Sequence, residues 1–482
     1  MMRCPRARAW GRTASWILFA GLPVWLAVAD AGAAVGKNQR LEAKEVLLCE
    51  VAEGRYRGAV VVSPDLQHVA HLKVLGKDRG VLVRDGQASP EYESIAASAP
   101  VFSPDNKRLA YSANRNGQWF VVVDGIEGKP CEGTMQGTPL FSPDSQRVAY
   151  VAFRAKKWHV VVDGVESGPW DSIVGKSPVF SPDGRRVAYA AKRGGKEYLV
   201  LVDGEECKEY DDGMGNAAYF SPDSRRFAFL RRQGEKMQLV VDGKAEKLYD
   251  GFAISMDTVF SFDSQRVIYA AKRENKWCIV ADGVESREYD AVDVGSPLFS
   301  PDSRRVAYAV ERGDKCVLVL DGVEVKEHDA IGEDSLRFSP DGKRFAYAAK
   351  RDRAWHLVLD GVEGKPWDRL RRYGGTFSPD NQRFAFIAEQ ILKEVLVVDG
   401  WAGQEYFEIA SSVVFSPDSK HVAYAARRYA RWVVVVDGEE TGDSYDEVIG
   451  KPRHFFASAT MLHAVVRRGN AYYRLEVRIK AD

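Results

Sequence analysis

The sequence predicts an all-β fold, namely a β-propeller of about eleven four-stranded blades. Three observations predict it: one phrase of about 40 residues recurs along the chain, each copy contains four β-rich runs, and the two ends complement each other. Four-stranded units repeated at this period are typical of propeller blades. The hydrophobic content of 45% and the aromatic content of 11% are those of a packed protein.

A Ser-x-Asp step and a later Asp-Gly step mark every copy of the repeat. Successive Ser-x-Asp steps lie 38 to 40 residues apart, and an Asp-Gly pair follows about 20 residues after each of them. Such even spacing predicts one supersecondary unit per copy. The ten copies begin at Ser63, Ser103, Ser142, Ser181, Ser221, Ser261, Ser300, Ser339, Ser378 and Ser416.

Each copy predicts four short strands, as residues 179–217 illustrate. "PVFS" is a first strand that ends at a Ser-Pro-Asp turn, and "RVAYAAK" is a β-rich second strand. "EYLVLVD" is a third strand, and Asp203-Gly204 is a strong two-residue hairpin signal. "EECKEYDD" is a more polar fourth strand.

The Ser-Pro-Asp and Asp-Gly steps are predicted to be turns rather than catalytic sites. Proline presets φ for the second position of a turn, and an aspartate carboxylate accepts hydrogen bonds from turn amides. Ten near-identical copies indicate a structural role, because an enzyme uses one site. Phe262 replaces the proline in one copy, which a turn tolerates.

A basic residue three positions after each motif aspartate is predicted to form ion pairs with the aspartates of the turns. A residue repeated in nearly every blade indicates a repeated structural task. These residues are Arg108, Arg147, Arg186, Arg226, Arg266, Arg305, Arg344 and Arg383, with His68 and His421 in the other two copies.

The two ends of the chain are predicted to share an eleventh blade. Residues 454–479 resemble a further copy that lacks both turn motifs and a fourth strand, and "EVLLCEV" (45–51) precedes the first copy. An N-terminal strand that completes the last blade would close the ring and remove exposed sheet edges. The even spacing leaves three arrangements open: one large ring, two smaller rings, or an open solenoid.

The first 33 residues have the composition of a secretory signal peptide. An arginine-rich start precedes the apolar run "ASWILFAGLPVWLAVA" (14–29), and small-x-small cleavage candidates follow. The run is short for a membrane span and is interrupted by Gly21 and Pro23. We therefore expect a signal peptide at 1–33, a repeat array at 34–482, no membrane span after signal removal, and a periplasmic or secreted location.

Charge and cysteine content exclude several classes of protein. The 482 residues include 68 basic and 68 acidic side chains, which argues against a nucleic-acid binder. Five cysteines follow the predicted signal peptide, and no C-x-x-C occurs, so we expect neither a disulfide framework nor a zinc site. The eight histidines are scattered without metal-ligand spacing, and a metal in the central channel is a weak alternative.

One face of the propeller is predicted to be basic. The hairpins between second and third strands are rich in lysine and arginine, whereas the opposite turns carry the motif aspartates and glutamates such as Glu166, Glu285, Glu324 and Glu363. One interpretation is a solvated surface whose bases neutralise nearby acids. The other is a docking face for an acidic protein or a polyanionic glycan. The candidate partner-binding residues are Lys192, Arg193, Lys196, Lys272, Arg273, Lys276, Lys350, Arg351, Arg427 and Arg428.

Repeated aromatic residues are expected to pack between blades, although a row that stacks sugars is an alternative. One set opens the third strands, and another precedes an acidic residue in the fourth strands. The first set is Trp119, Trp158, Trp277, Trp355 and Trp432, and the second is Tyr210, Tyr249, Tyr289, Tyr445, Trp170 and Trp367.

The string "FSPDGRRVAYAAKR" resembles the repeat of TolB-type propellers, a WD-like family of bacterial periplasmic and secreted proteins. The resemblance covers residues 60–440 and is specific for the type of repeat rather than for function. It implies a periplasmic or exported binding scaffold. We expect no counterpart of the α/β domain that precedes the propeller in TolB, because the repeats begin about 30 residues after the predicted cleavage site.

The sequence favours a non-enzymatic exported scaffold that binds an envelope or extracellular protein through one face. We expect no catalytic, cofactor-binding or metal-binding residues, because the predicted innermost strands are nearly interchangeable and poor in ionisable groups. No G-x-S-x-G elbow occurs. The alternatives are a lyase or lactonase with a site in the channel, and a glycan-binding module. The sequence does not define an oligomeric state.

Overall fold

The computed structural model describes 40–51, 60–76, 79–96, 100–195, 197–210, 214–253, 259–293, 295–371, 375–410, 413–449 and 456–480. Every regular element in these ranges is a β-strand. The predicted signal peptide (1–33) lies outside the described residues. Within the described ranges, no helix has the length and apolarity needed to cross a membrane.

The strands form eleven antiparallel sheets, which are the blades, numbered here in chain order. The N-terminal strand β1 (Arg40–Glu50) belongs to the last blade. The strands of blades 1 to 4 are β2 (Val61–Val62), β3 (Val69–Val74), β4 (Gly80–Arg84) and β5 (Gln87–Ala88); β6 (Ser94–Ile95), β7 (Val101–Phe102), β8 (Leu109–Arg115), β9 (Gln118–Val123) and β10 (Ile126–Glu127); β11 (Gly133–Thr134), β12 (Leu140–Phe141), β13 (Val148–Arg154), β14 (Lys157–Val162) and β15 (Val165–Trp170); β16 (Ser172–Phe180), β17 (Val187–Arg193), β18 (Glu197–Val202) and β19 (Glu205–Tyr210).

Blades 5 to 8 repeat the same order. Their strands are β20 (Met214–Phe220), β21 (Phe227–Gln233), β22 (Lys236–Val241) and β23 (Lys244–Tyr249); β24 (Gly251–Ala253), β25 (Ile268–Arg273), β26 (Lys276–Ala281) and β27 (Val284–Glu285); β28 (Ala291–Val292), β29 (Leu298–Phe299), β30 (Val306–Arg312), β31 (Lys315–Leu320) and β32 (Val323–His328); β33 (Ala330–Ile331), β34 (Arg337–Phe338), β35 (Phe345–Arg351), β36 (Ala354–Leu359) and β37 (Val362–Trp367).

Blades 9 and 10 follow this order too, and blade 11 combines both ends of the chain. Their strands are β38 (Arg369–Leu370), β39 (Thr376–Phe377), β40 (Phe384–Gln390), β41 (Lys393–Val398) and β42 (Trp401–Tyr406); β43 (Glu408–Ile409), β44 (Val414–Phe415), β45 (Val422–Arg428), β46 (Arg431–Val436) and β47 (Glu439–Glu440); and β48 (Glu447–Ile449), β49 (Phe456–Ser458), β50 (Met461–Arg468) and β51 (Ala471–Lys480), which β1 completes.

The predicted closure of the ring is confirmed. β1 pairs antiparallel with β51, so the sheet order of blade 11 is β48-β50-β51-β1. Blade 11 shares a core cluster with blade 10, and Arg474 of β51 donates a hydrogen bond to Gln67 of blade 1. Shared clusters also join each earlier pair of neighbouring blades. The eleven blades therefore form one ring, not two rings or an open solenoid.

The first strand of a blade is longer than the sequence indicates. In blade 4 it runs from Ser172 to Phe180, and "PVF" is only its second half. In blades 2, 3 and 7 to 10 the same path is split into two short strands on the same neighbour. Gly175 and the register shift between Val174 and Val179 interrupt the alternation of apolar residues, which hid the first half.

The core consists of interfaces between neighbouring blades. An alanine of the second strand is fully buried in each of the ten repeat copies, as is Ala464 in blade 11, which lets neighbouring sheets approach closely. Between blades 5 and 6, Leu239 and Tyr249 pack with Tyr269 and Ala271 of the next sheet. The ten alanines are Ala70, Ala110, Ala149, Ala188, Ala228, Ala270, Ala307, Ala346, Ala385 and Ala423.

Hydrogen bonds within the motif make the Ser-Pro-Asp step a turn, as predicted. In blade 5 the buried Ser221 hydroxyl donates to Asp223 over 2.6 Å and accepts from the Arg226 amide over 2.9 Å. The Ser224 amide donates to the Ser221 carbonyl, and Ser224 is left-handed with φ 64°. Blade 6 keeps the corresponding bonds despite Phe262, so proline is not essential to the turn.

The repeated basic residue joins the two turns of its own blade and the turn of the next. Arg226 bonds to Asp242 of the Asp-Gly turn over 2.8 Å, and it donates to the carbonyls of Ser264 and Gln265 in blade 6 over 3.0 Å. Its guanidinium also lies over the Phe260 ring. The predicted ion pair forms in all eight copies that have the arginine. In the other two copies, His68 and His421 are hydrogen-bonded to Asp85 and Asp437.

Candidate functional site

The two faces of the ring are distinguished by their contacts. The Arg–Asp pairs bring the Ser-Pro-Asp and Asp-Gly turns together on one face, which we call the turn face. The hairpins between second and third strands meet the connectors between blades on the other face, which we call the hairpin face. This division matches the one that the sequence predicted.

On the hairpin face, an acidic residue of the connector accepts a hydrogen bond from the backbone of the next hairpin. After the fourth strand of blade 3, Asp171 accepts a hydrogen bond from the Gly195 amide of the blade 4 hairpin over 2.9 Å. Its other oxygen meets Lys157 of its own blade. The Lys157 bond lowers the pKa of Asp171. The same hydrogen bond from a hairpin amide is accepted by Glu93, Glu132, Asp250, Asp290, Asp329, Asp368 and Asp446.

Most arginines of the predicted basic face are already neutralised by acids of the same chain. Arg273 bonds to Glu285 over 2.8 Å, and Glu285 also accepts from Lys247 and from the Tyr249 hydroxyl of the previous blade. These bonds lower the pKa of Glu285 to about 2. Five other candidates have carboxylate partners: Arg193–Glu206, Lys276–Asp290, Arg351–Glu363, Arg427–Glu408 and Arg428–Glu440.

Three candidate lysines lie over aromatic rings instead. The ammonium group of Lys192 lies 5.0 Å from the centre of the Tyr198 ring. Lys272 lies 5.8 Å from the Trp277 ring. Each pair presents a cation and an apolar surface together. Lys350 forms the third pair, at 5.9 Å from the Trp355 ring, and Lys196 lies outside the described residues.

The predicted charge separation between the faces is wrong in one respect. The glutamates assigned to the turn face reach arginines at the hairpin ends of their blades. Each of these glutamates is the second residue of its fourth strand. Its side chain lies on the same surface of the sheet as the arginine at the end of the second strand. These ion pairs are Arg154–Glu166, Arg273–Glu285, Arg312–Glu324 and Arg351–Glu363.

The repeated aromatic residues of the fourth strands pack between blades, as expected. Tyr249 is 1% exposed and packs edge-on against Tyr269 of blade 6. Burial and the Glu285 hydrogen bond raise the pKa of Tyr249. Trp170, Tyr289, Trp367 and Tyr445 are buried too, and the Tyr210 side chain lies outside the description.

Histidines and cysteines lie apart along the ring. Buried His328 meets the Tyr347 hydroxyl over 3.0 Å, and burial lowers its pKa. Cys49, Cys131, Cys278 and Cys316 are free. Within the described ranges, no three His, Cys, Asp or Glu side chains are grouped in a way that could hold a metal ion.

Blade 9 and the hairpin of blade 10 depart from the repeat, which the sequence analysis missed. Phe407 occupies the connector position held by an acid in the other described connectors, and its ring lies 5.3 Å from that of Tyr429. Ile391 and Leu392 form the hairpin of blade 9 and are 81% and 84% exposed. Comparing each repeat position across the ten copies would have revealed these residues.

Comparisons with known proteins agree with this architecture. The family model of the TolB beta propeller domain matches residues 132–292. No curated protein matches the sequence at a significant level. Residues 132–292 therefore match the TolB-type propeller repeat that the sequence indicated.

Three solved structures resemble the chain at low sequence identity. TolB from Acinetobacter baumannii is 19% identical, with a TM-score of 0.25 over 53% of this chain and 77% of that chain. The crystal structure of the eukaryotic initiation factor is 12% identical, with a TM-score of 0.40 over 84% of this chain and 97% of its own. The Dos1 propeller is 10% identical, with a TM-score of 0.30 over 78% and 92% respectively.

Proposed function

We propose that this TolB-type propeller is an exported, non-enzymatic scaffold that binds a protein partner through its hairpin face. The predicted signal peptide supports export to the periplasm or the cell exterior. TolB-type propellers are commonly used for protein binding, which supports the class of function. The proposal needs no cofactor, since the partner is held by surface contacts.

The observation that carries this proposal is the set of lysine–aromatic pairs on the hairpin face. Lys192 on Tyr198, Lys272 on Trp277 and Lys350 on Trp355 recur in blades 4, 6 and 8. Aromatic residues are enriched in protein interfaces, and a cation beside them attracts acidic partners. The candidate arginines are tied to carboxylates of their own chain, so the lysines are the better contacts for a partner.

The candidate arginines pair with acids of their own chain, whereas these three lysines lie over aromatic rings. Reversing every charge on this face would therefore be a poor test. Arg273 and Arg428 hold Glu285 and Glu440 within the blades, and reversal would leave like charges together. Such a variant would lose stability and binding at once. Neutral, length-preserving replacement of the lysines avoids this problem.

The test compares capture of proteins from an extract of the cell envelope by three baits. They are the natural chain, a Lys192→Gln/Lys272→Gln/Lys350→Gln variant, and a control with Lys107→Gln, Lys343→Gln and Lys420→Gln. The control changes three exposed lysines of the turn face, each beside its own motif aspartate. All three baits should unfold at similar temperatures.

We expect the natural chain and the control to hold one saturable partner about tenfold more tightly than the lysine variant. A loss of about 0.5 kcal/mol for each contact between a lysine and a carboxylate of the partner predicts this factor. The difference should shrink with salt. Equal capture by all baits would move the binding surface elsewhere, and the absence of a saturable partner would contradict a scaffold function.

A further inference from the structure

Blade 9 departs from the repeat in its connector and in its hairpin. Phe407 replaces the connector acid, and Ile391 and Leu392 replace hairpin residues that are mostly polar or glycine in the other copies. The hairpin arginine and its glutamate partner are also missing, but blades 1 and 5 lack this pair too. The apolar connector and the apolar hairpin therefore set this part of the hairpin face apart.

The exposed hairpin of blade 9 is not explained by folding. Ile391 and Leu392 have φ of 50° and 61°, so both are in the left-handed region. A β-branched residue tolerates that region poorly, and Asn-Gly is the preferred pair in such a turn. Since both side chains are more than 80% exposed, they gain no burial in return. Strain of this kind points to function rather than stability.

The lysine of blade 9 faces an aromatic ring where equivalent lysines face a carboxylate. Lys276 and Lys315 meet Asp290 and Asp329 at the corresponding position. The ammonium group of Lys393 instead lies 3.2 Å from the centre of the Phe407 ring. Within the described residues, Lys393 forms no ion pair with a carboxylate of this chain.

The changed residues are contiguous. Leu392 precedes Lys393, which covers the Phe407 ring, and the Tyr429 ring of blade 10 lies against Phe407. Phe407 and Tyr429 are 45% and 77% exposed. A cleft of ≈ 310 Å³ opens beside them, at the lower end of the range for ligand sites. Its lining includes Lys393, Glu405 and Arg428, and Arg428 is already paired with Glu440.

The geometry points to a docking site on blades 9 and 10 for a protein segment that presents a large apolar side chain next to a carboxylate. We call it the blade 9 patch, formed by Ile391, Leu392, Lys393, Phe407 and Tyr429. The apolar side chain would pack on Leu392 and Tyr429, and the carboxylate would meet Lys393. Aromatic and apolar anchors inside a polar rim are typical of binding hot spots.

A glycan fits the patch less well. Sugars stack on open aromatic faces, but Lys393 covers one face of Phe407. The two aliphatic side chains of the hairpin offer no hydrogen bonds to hydroxyl groups. Apolar side chains of a protein are the better match for them.

This inference rests on the proposed function and names the segment of the partner that would be recognised. The test selects random dodecapeptides by display on the natural chain. The best peptide is then measured by fluorescence anisotropy against two variants. The first carries Ile391→Asn, Leu392→Gly and Phe407→Asp, which restore residues typical of the repeat. The matched control carries Ala155→Asn and Lys156→Gly in the left-handed hairpin of blade 3.

Both variants should unfold at or above the temperature of the natural chain, because Asn-Gly suits the turn. We expect selected peptides to combine a large apolar residue with Asp or Glu. Their affinity should fall at least tenfold on the first variant and stay unchanged on the control. Equal affinity for all three proteins would overturn the patch but leave a protein-binding scaffold intact. Failure to select any peptide would count against both proposals.

Discussion

At the scale of the residue, the motif aspartate is a structural group with an unusual acidity. The Ser221 hydroxyl and the Arg225 amide both donate to Asp223 and lower its pKa. Eight other motif aspartates have a lowered pKa for the same first cause, a serine hydroxyl. They are Asp105, Asp144, Asp183, Asp263, Asp302, Asp341, Asp380 and Asp418.

These aspartates predict that the ring is sensitive to acid. A carboxyl whose pKa is lower in the folded state stabilises the fold above its unfolded pKa, about 4, and loses that contribution as pH falls through the folded value. The urea midpoint should therefore fall steadily below pH 4. Replacement of Ser221, Ser261 and Ser300 by Ala should lower the midpoint at pH 7 and flatten its decline in acid. A midpoint independent of pH between 5 and 2 would contradict this account.

At the scale of the element, an arginine next to the turns joins each of blades 2 to 9 to the following blade. Arg226 is about a quarter exposed and contacts Asp242, two carbonyls of blade 6 and the Phe260 ring. Lysine carries the charge but lacks the planar fork of donors that makes these contacts together. The joint therefore depends on the shape of the guanidinium as well as on its charge.

We predict that Arg226→Lys destabilises the protein by about 1–3 kcal/mol, the range for hydrogen bonds of charged groups. The neighbouring Arg225 is exposed and supplies the control Arg225→Lys, which should change stability by less than about 0.5 kcal/mol. Thermal unfolding followed by circular dichroism measures both. Equal effects of the two changes would mean that the joint depends on charge alone.

The elements also show what the sequence could predict. Turns, second to fourth strands and the closing strand were predictable, because each has a local signal: Asp203-Gly204, the alternation of "RVAYAAK", and the unpaired "EVLLCEV". The first half of the first strands was not, since Gly175 and a register shift interrupt its pattern. The ion pairs of Glu166 and Glu285 with arginines of the second strand were not predictable either. They depend on which strands are neighbours in the sheet, and local sequence patterns do not show this. The Arg–Asp ion pairs were predictable because a basic residue recurs at the same position in every copy.

At the scale of the whole molecule, the ring depends on one non-local sheet. β1 supplies the outer edge of blade 11, and Glu45 on it accepts hydrogen bonds from Tyr445 of blade 10 and Arg468 of β50 over 2.9 and 2.7 Å. Without β1, β51 would present an unpaired edge. Blade 11 would also lose contacts on the side that joins it to blade 10.

Deletion of residues 40–50 should lower the unfolding temperature by several degrees and shift the protein to larger species in size-exclusion chromatography. A synthetic peptide of residues 40–50, added in trans, should reverse both effects by restoring the strand. A deletion variant that elutes at the same volume as the natural chain and is equally stable would show that β1 is dispensable for closure.

The pairing of β1 with β51 also sets the order of events during synthesis. The ribosome makes Arg40–Glu50 before any repeat, and the partner strand, Ala471–Lys480, emerges only after the tenth copy is complete. Each blade can add to the previous one as it emerges, but the last joint must wait until Ala471–Lys480 has been made. Until then the nascent chain is an arc with two free ends, and the ring closes only when its first and last strands meet.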